Sequence, residues 1–338
     1  MSKQIRILVV TNPSSPATDY YRTVGPYSNM SRAYPTVIRY QHEMPEYLKW
    51  HHIYDNDVII FQRPNGKQLG GFIAEAWRAN KKIILDFDDL LHEVTDANPA
   101  GTWFNRPDVK KSIEEVFQYA SHVTVSTPYL KAYYSKFVNE DKITIIPNCY
   151  IAADGPFTPI RQSQKPYRML WRGSATHITD LYTIEQPLKY AIENDAFAWS
   201  FIGMEKWIFP WLPRDRVSWV PWLPMFSFFN LIRENQPDWG VFPLEINNFN
   251  RSKSYNFAME LLKNGAAVIA QGGLPEFEIP GVITYNTPEE LSDIFQKIST
   301  GEISKEQHVI AGREWMSENR EINKFHPLRL EVIQNVLR

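Results

Sequence analysis

The sequence is short of several things at once. It has one cysteine, Cys149, among 338 residues, which excludes an intramolecular disulfide and any cysteine-based zinc cluster. It has no long apolar run: MSKQIRILVV holds only five or six such residues before TNPSSP, too few for a signal segment or a spanning helix. It has almost no net charge, 36 Lys and Arg against 38 Asp and Glu, so nothing global draws it to nucleic acid or an anionic membrane, although a local basic groove stays open. Glycine is scarce, 15 against 24 prolines, and the loop after the first apolar run lacks G-x-G-x-x-G, which disfavours hydride transfer with NAD. No tract is compositionally biased, so disorder, collagen and coiled coils fall away. A soluble globular chain of roughly two domains, in a reducing cytoplasm, is expected.

What is present is a rhythm. Short Val- and Ile-rich runs at Ile5–Val10, Thr36–Tyr40, Val58–Gln62, Lys82–Asp86, His122–Ser126 and Ile143–Ile146 alternate with helical stretches at Gly71–Ala79, Asp108–Ala120 and Pro128–Phe137. Such runs read as buried strands, and the alternation predicts a doubly wound parallel α/β sheet. The stretch Cys149–Lys165 has no periodicity and reads as a linker. The rhythm then resumes with strands at Arg168–Gly173, Ala198–Gly203, Val217–Val220, Gly240–Pro243, Ala267–Ala270 and Gly281–Tyr285, and helices at Asp180–Asn194, near Phe226–Asn235 and at Ser252–Asn264. Helices at Pro288–Thr300 and Lys305–Leu337, interrupted near Phe325–Pro327, close the chain. The expected layout is two Rossmann-like domains, 1–150 and 166–320, joined by 151–165, with 321–338 returning to the first. Ligands of such sheets lie beyond the carboxyl ends of the strands, here in a cleft between two sheets.

Four constellations follow strand ends. Asp86, Asp88 and Asp89, with His92 and Glu93 behind them, gather carboxylates that need a cation or a proton to handle; helix capping is the alternative for Asp88 and Asp89. Asp86 and Asp88 form a D-x-D pair. Trp171-Arg172-Gly173-Ser174-Ala175-Thr176-His177 offers a close backbone approach at Gly173, hydroxyls at Ser174 and Thr176, and charge from Arg172 and His177 for a phosphate; an ordinary turn capped by Thr179 or Asp180 is the alternative. The loop from Glu245 through Asn248 to Ser254 sets Arg251 and Lys253 at an expected helix start, an anion site, with Glu260 inside the helix able to accept from two vicinal ribose hydroxyls or simply solvated. Asp19-Tyr20-Tyr21-Arg22 follows the first strand, where Arg22 meets an anionic group across the cleft or lies on a helix surface. His51 and His52, adjacent in an expected polar loop, lack ligand spacing, and Ser126 has no nucleophile elbow.

In order, ILDFDDLLHEV, VTVSTPYLKAYYSKF, ITIIPNC, LWRGSATHITDL and FNRSKSYNFAMELLKNGAAVIA make the chain similar to glycosyltransferase family 4, the group 1 glycosyltransferases of the GT-B class, in the compact branch of bacteria and their phages. The resemblance implies transfer of a sugar from a nucleotide-diphosphate sugar, the co-substrate, with retention and without an obligatory metal. It gives Glu260 the ribose, as second Glu of an E-x7-E motif whose first Glu falls at Ser252, with Glu245 or Asn248 as substitutes. Arg172, Gly173, Ser174, Lys253 and Ser254 then surround the donor; Asp88, Asp86 and His177 are the catalytic candidates, and Arg22, Tyr21 and Trp207 face the acceptor. That acceptor is a glycan or a hydroxymethylated base in DNA. An epimerase of the same fold and a non-catalytic carbohydrate-binding protein are the alternatives. Finally, aromatic residues reach 14 %, and eleven Phe and Trp crowd between Phe197 and Phe229; Trp207 or Trp211 is expected to line the cleft.

Overall fold

A computed structural model describes residues 4–11, 16–34, 36–40, 49–64, 66–204, 212 and 216–338. Among the described residues the apolar runs form twelve strands in two sheets of six, every pair parallel. In the first half they are β1 (Ile5–Val10), β2 (Thr36–Tyr40), β3 (Val58–Gln62), β4 (Lys82–Phe87), β5 (His122–Val125) and β6 (Ile143–Ile145), in the order β2-β1-β3-β4-β5-β6. In the second half β7 (Tyr167–Arg172), β8 (Phe197–Ile202), β9 (Val217–Val220), β10 (Trp239–Phe242), β11 (Ala267–Gln271) and β12 (Val282–Tyr285) lie in the order β12-β11-β10-β7-β8-β9. The second order reverses between β7 and β10, so the crevice for a ligand opens where those two strands end.

The strands are buried because helices cover both faces, which is why β3 and β11 read as unbroken apolar runs rather than as alternation. Leu8, Phe61, Leu85 and Val123 pack one face of the first sheet. Ile7, Val9, Ile60 and Ile84 pack the other, together with Val332 and Ile333 of the terminal helix His326–Leu337. The chain therefore crosses twice between the halves. The crossings touch: the Tyr150 amide donates to the Arg320 carbonyl at 3.0 Å, and the Ile322 amide to the Tyr150 carbonyl at 3.2 Å.

Several sequence expectations shift. The helix expected over Ser252–Asn264 starts only at Asn256 and runs to Lys263; a separate short helix, Asn248–Arg251, precedes it, with Lys253 and Ser254 in the turn between. Asp180–Asn194 divides into Ile178–Tyr182 and Glu185–Glu193, and Asp108–Ala120 is a helix over Pro107–Glu115 followed by a 3-10 turn. His51 and His52 stand on a helix, Lys49–Asp55, rather than in a loop. The helices Pro16–Arg22 and Val24–Ala33 are not among the stretches expected from periodicity, although Arg22 does stand on a helix as one of its two readings had it; their polar and small residues hide the apolar period.

At the crossings, Arg320 lies over the rings of Tyr255 and Trp315, each 4.9 Å away, and 3.9 Å from Glu276. Burial, only partly offset by Arg320, lifts the Glu276 carboxyl from its ordinary 4.5 to about 7. An acid raised in this way takes up a proton on folding between those two values, so its contribution to stability is full below pH 4.5 and is lost as pH rises to 7. Glu276→Gln should cancel that loss, up to about 3 kcal/mol. Thermal melts at pH 5 and pH 8 check this: the wild-type Tm should drop more between them than the variant's, and equal drops refute it.

Candidate functional site

Two arginines neutralise the acidic end of β4. Arg22 donates from Nε to Asp86 Oδ1 at 3.0 Å and from Nη2 to Oδ2 at 2.6 Å, and also to the Ile146 carbonyl and Asn148 Oδ1. Thr124 Oγ1 donates to the same Asp86 carboxylate at 2.6 Å. Arg22 and Asp86 are 3 % and 4 % exposed, so Arg22 is neither a surface residue nor open to an acceptor, and Asp86 is a buried ion-pair partner. Arg63 takes up Asp88 with both Nε and Nη2, the latter at 2.9 Å, and also binds Asp89. It does so from a left-handed backbone (φ 45°) directly after β3, a strain of about 1 kcal/mol that this double pairing holds in place. The D-x-D pair thus serves two different cations and does not converge.

Burial and the neighbouring Asp89 charge raise the Asp88 carboxyl despite Arg63. Burial pushes Asp89 the same way, but Lys253 and Arg63 outweigh it and Asp89 is lowered. The Lys253 Nζ stands 3.2 Å from Asp89 Oδ1 and 4.3 Å from the centre of the Phe249 ring, reaching across from the second half.

Around that bridge runs a polar seam. The Leu90 amide donates to Ser252 Oγ at 3.2 Å, and Thr127 Oγ1 to the Ser252 carbonyl at 3.3 Å. Tyr129 donates to Asn248 Oδ1 at 2.9 Å, while Asn148 Nδ2 donates to Ser254 Oγ at 2.6 Å. Ser252 is fully buried, and a glutamate there would have to enter the seam. Asn248 and Ser254 are therefore engaged with the first half rather than turned to a ligand.

A pocket opens beside the seam, at the ends of β7 and β8. It is open to solvent on one side and is lined by Ala17, Arg172, Gly173, Gly203, Trp222, Pro224, Phe228 and Glu260, among others. Gly203 has φ 93°, and a Cβ on it would stand 2.6 Å from the Gly173 carbonyl oxygen; only glycine lets the two strand ends meet here. Trp222 is 60 % exposed at the rim, an exposed aromatic surface of the kind that takes a flat ring or a sugar face. Ser174 and Thr176 satisfy each other, Oγ to Oγ1 at 2.6 Å, in a 3-10 turn, Ala175–His177, before a five-residue helix. A helix this short offers a phosphate little dipole.

Glu260 forms the inner wall, 5 % exposed. Tyr21 donates to its Oε1 at 2.8 Å across 239 residues, and Arg172 Nη2 stands 2.6 Å from Oε2. Burial raises the Glu260 carboxyl in spite of both, and burial also holds the Tyr21 phenol well above its usual range, keeping it a donor. Oε2 has no well-directed hydrogen bond. Tyr21, expected at the acceptor, is thus a support for Glu260. The Arg172 guanidinium also lies 5.3 Å from the Phe257 ring and 5.8 Å from Phe228.

The structure brings Arg172, Gly173 and Glu260 from the sequence-derived set together in one pocket, sets His177 against Gly173, and pairs Lys253 with Asp89, next to Asp88 in the chain. Trp207 and Trp211 lie outside the described residues. Sequence reasoning missed Gly203, Trp222 and the pairing of Arg63 with Asp88 and Asp89: it counted Arg63 only among the basic residues of a possible phosphate groove. Among the described residues no three His, Cys, Asp or Glu side chains are placed to hold a metal, and no helix is long and apolar enough to cross a membrane.

Neither a protein-family model nor a curated protein sequence matches the chain. Solved structures do. The chain superposes with TM-score 0.68 on Anabaena HepE (Alr3699) in complex with UDP and glucose, at 10 % identity over 98 % of this chain and 100 % of that one. An alpha-glucosyltransferase in complex with UDP and a 13-mer DNA containing a HMU base gives 0.66, at 10 % identity and the same coverage. The lipopolysaccharide outer core galactosyltransferase WaaB gives 0.56, at 13 % identity over 98 % and 99 %. At such identities the likeness is one of fold, and it extends end to end: two parallel Rossmann-like sheets facing a cleft, the GT-B architecture.

Proposed function

We propose that the protein is a glycosyltransferase of the family 4 kind, moving a sugar from a nucleotide-diphosphate sugar to an acceptor hydroxyl with retention of configuration. The observation that carries this reading is Glu260: a buried carboxylate on the wall of an open pocket at the ends of β7 and β8, held between a phenol and a guanidinium. Two vicinal ribose hydroxyls match its free lone pairs. Arg172 and Lys253 serve the diphosphate. Without donor each is matched to a carboxylate, Glu260 and Asp89. Incoming phosphates replace these partners, which frees Oε2 for the ribose.

Cleavage of the sugar–phosphate bond leaves negative charge on the departing diphosphate, and both cations then gain more with the transition state than with the ground state. Asp88, backed by Arg63, orients the acceptor hydroxyl from the first half, and His177 contacts the transferred sugar. The aromatic rim at Trp222 takes the nucleobase or the acceptor. UDP is the first nucleotide to try, since the neighbours HepE and the alpha-glucosyltransferase were solved with it, and the second of these makes DNA with a hydroxymethylated base an acceptor to test beside glycans.

A thermal-shift panel of nucleotide sugars tests the reading. A ligand at 100 times its Kd stabilises the folded state by about 2.7 kcal/mol, and at least one nucleoside-diphosphate sugar should raise the Tm and pass its sugar on, leaving the nucleoside diphosphate, only with acceptor present. Steady epimerisation without acceptor would make the protein an epimerase, and no shift with any nucleotide would remove both enzyme readings.

A further inference from the structure

Asp180 was legible in the sequence only as a helix cap. In the structure it is 3 % exposed and holds two parts of the site with its two oxygens. Oδ1 accepts from the Glu245 amide at 2.8 Å and from Asn250 Nδ2 at 3.1 Å, fixing the loop after β10 that carries Asn248 and leads to Lys253. Oδ2 stands 2.8 Å from His177 Nδ1. The topology explains the meeting, because Asp180 follows β7 and Glu245 follows β10, the neighbours at which the strand order reverses.

The imidazole is fixed on its other sides. Its Cδ2 would lie 3.2 Å from a Cβ on Gly173, so the ring sits over the end of β7. Phe242 is 5.9 Å away, centre to centre. Nε2 has no hydrogen-bond partner among the described residues and is not sealed from solvent. His177 lies within electrostatic reach of Asp89, the partner of Lys253. A carboxylate only accepts, so the proton between His177 and Asp180 belongs to Nδ1. The neutral ring then presents a lone pair on Nε2 to the cleft.

We propose that Asp180 is a positioning residue: it sets the His177 tautomer so that Nε2 accepts a hydrogen bond from a hydroxyl of the bound sugar, and with the same carboxylate it locks the phosphate-side loop. The kinetic consequence rests on the transferase reading above; the tautomer does not.

Asp180→Asn separates the two duties. Its amide oxygen still accepts from Glu245 and Asn250, while its NH2 faces Nδ1 and forces the proton to Nε2, turning an acceptor into a donor. In protein labelled with 15N-histidine, with the His177→Ala spectrum giving the assignment, wild-type His177 should carry its proton on Nδ1 and the variant on Nε2. UDP affinity by calorimetry should stay within about threefold because the loop is kept, while kcat falls about 100-fold, the scale of a misplaced acid–base group. In a His177→Ala background the same substitution should change kcat by less than about twofold, since the two residues act as one unit.

A wild-type His177 protonated on Nε2 overturns the proposal, and this holds even if Asp180→Asn fails to fold. A kcat loss that persists without His177, or no loss when the tautomer has switched, overturns it as well and leaves Asp180 as a loop support. A wild-type protein that binds no nucleotide sugar instead overturns the transferase reading, and the tautomer spectra still decide whether Asp180 sets His177.

Discussion

Glu260→Gln should weaken nucleotide-sugar binding by roughly 100-fold, equivalent to about 3 kcal/mol, while the ligand-free protein keeps or gains stability. Each hydrogen bond between a carboxylate and a ribose hydroxyl is worth about 1.5–3 kcal/mol, against about 1 for a neutral amide. Glutamine has the same shape, so Tyr21 still has an oxygen to donate to, but the charge and half of the acceptor capacity are gone. Stability moves the other way because burial penalises this carboxyl more than Arg172 and Tyr21 compensate, as the upward shift of its pKa records. A site tuned for a ligand carries such a cost when empty. Calorimetric titration with UDP and its sugars, beside thermal melts of the empty protein, reads both halves. An unchanged Kd would remove Glu260 from the donor site; lower affinity with a collapsed Tm would make it a structural residue.

The second large effect belongs to the first half. Asp86→Ala should destabilise the protein by about 3–5 kcal/mol, because it strands the buried Arg22 guanidinium without its counter-charge. For a cooperative unit of this size that is roughly 10 °C in Tm. Arg22 is also tied to Asn148, whose amide reaches Ser254 in the second half, so the loss should spread to the seam. The double variant Arg22→Met, Asp86→Leu should recover much of the stability, since two apolar groups of similar volume bury without an unpaired charge. Calorimetric melts of the three proteins test this. A single variant as stable as the wild type would mean that Asp86 faces the cleft as a free carboxylate, available for the chemistry that its place after β4 suggested.

How far the sequence reached depends on which interactions are local. Ile5–Val10, Thr36–Tyr40, Val58–Gln62 and Val217–Val220 are the strands observed, residue for residue, because a buried parallel strand writes itself as a run of β-branched residues. The helix Pro16–Arg22 left no such trace, and with it went the true place of Tyr21 and Arg22. Lys253 was expected at a helix start, yet Ser252 to Tyr255 turn away to build the seam with Leu90 and Thr127. Tertiary hydrogen bonds outweighed helix propensity over those four residues.

The lone cysteine was enough to exclude cysteine metal centres and intramolecular disulfides, the scarce glycine disfavoured dinucleotide oxidoreductases, and the strand–helix alternation with its one break determined two Rossmann-like sheets. The sequence by itself also placed Arg172 at a strand's carboxyl end and His177 and Asp88 just after strands, where parallel sheets expose their ligands. Only the tertiary structure decided the partners: Arg22 with Asp86, Arg63 with Asp88 and Asp89, Tyr21 and Arg172 with Glu260, Asp180 with His177 and the Glu245 loop. The physical reason is range. Periodicity and propensity report what a residue does to its neighbours within a turn or a strand, whereas a charge chooses its counter-charge by distance in space, and here most of the partners are separated by tens to hundreds of residues of chain.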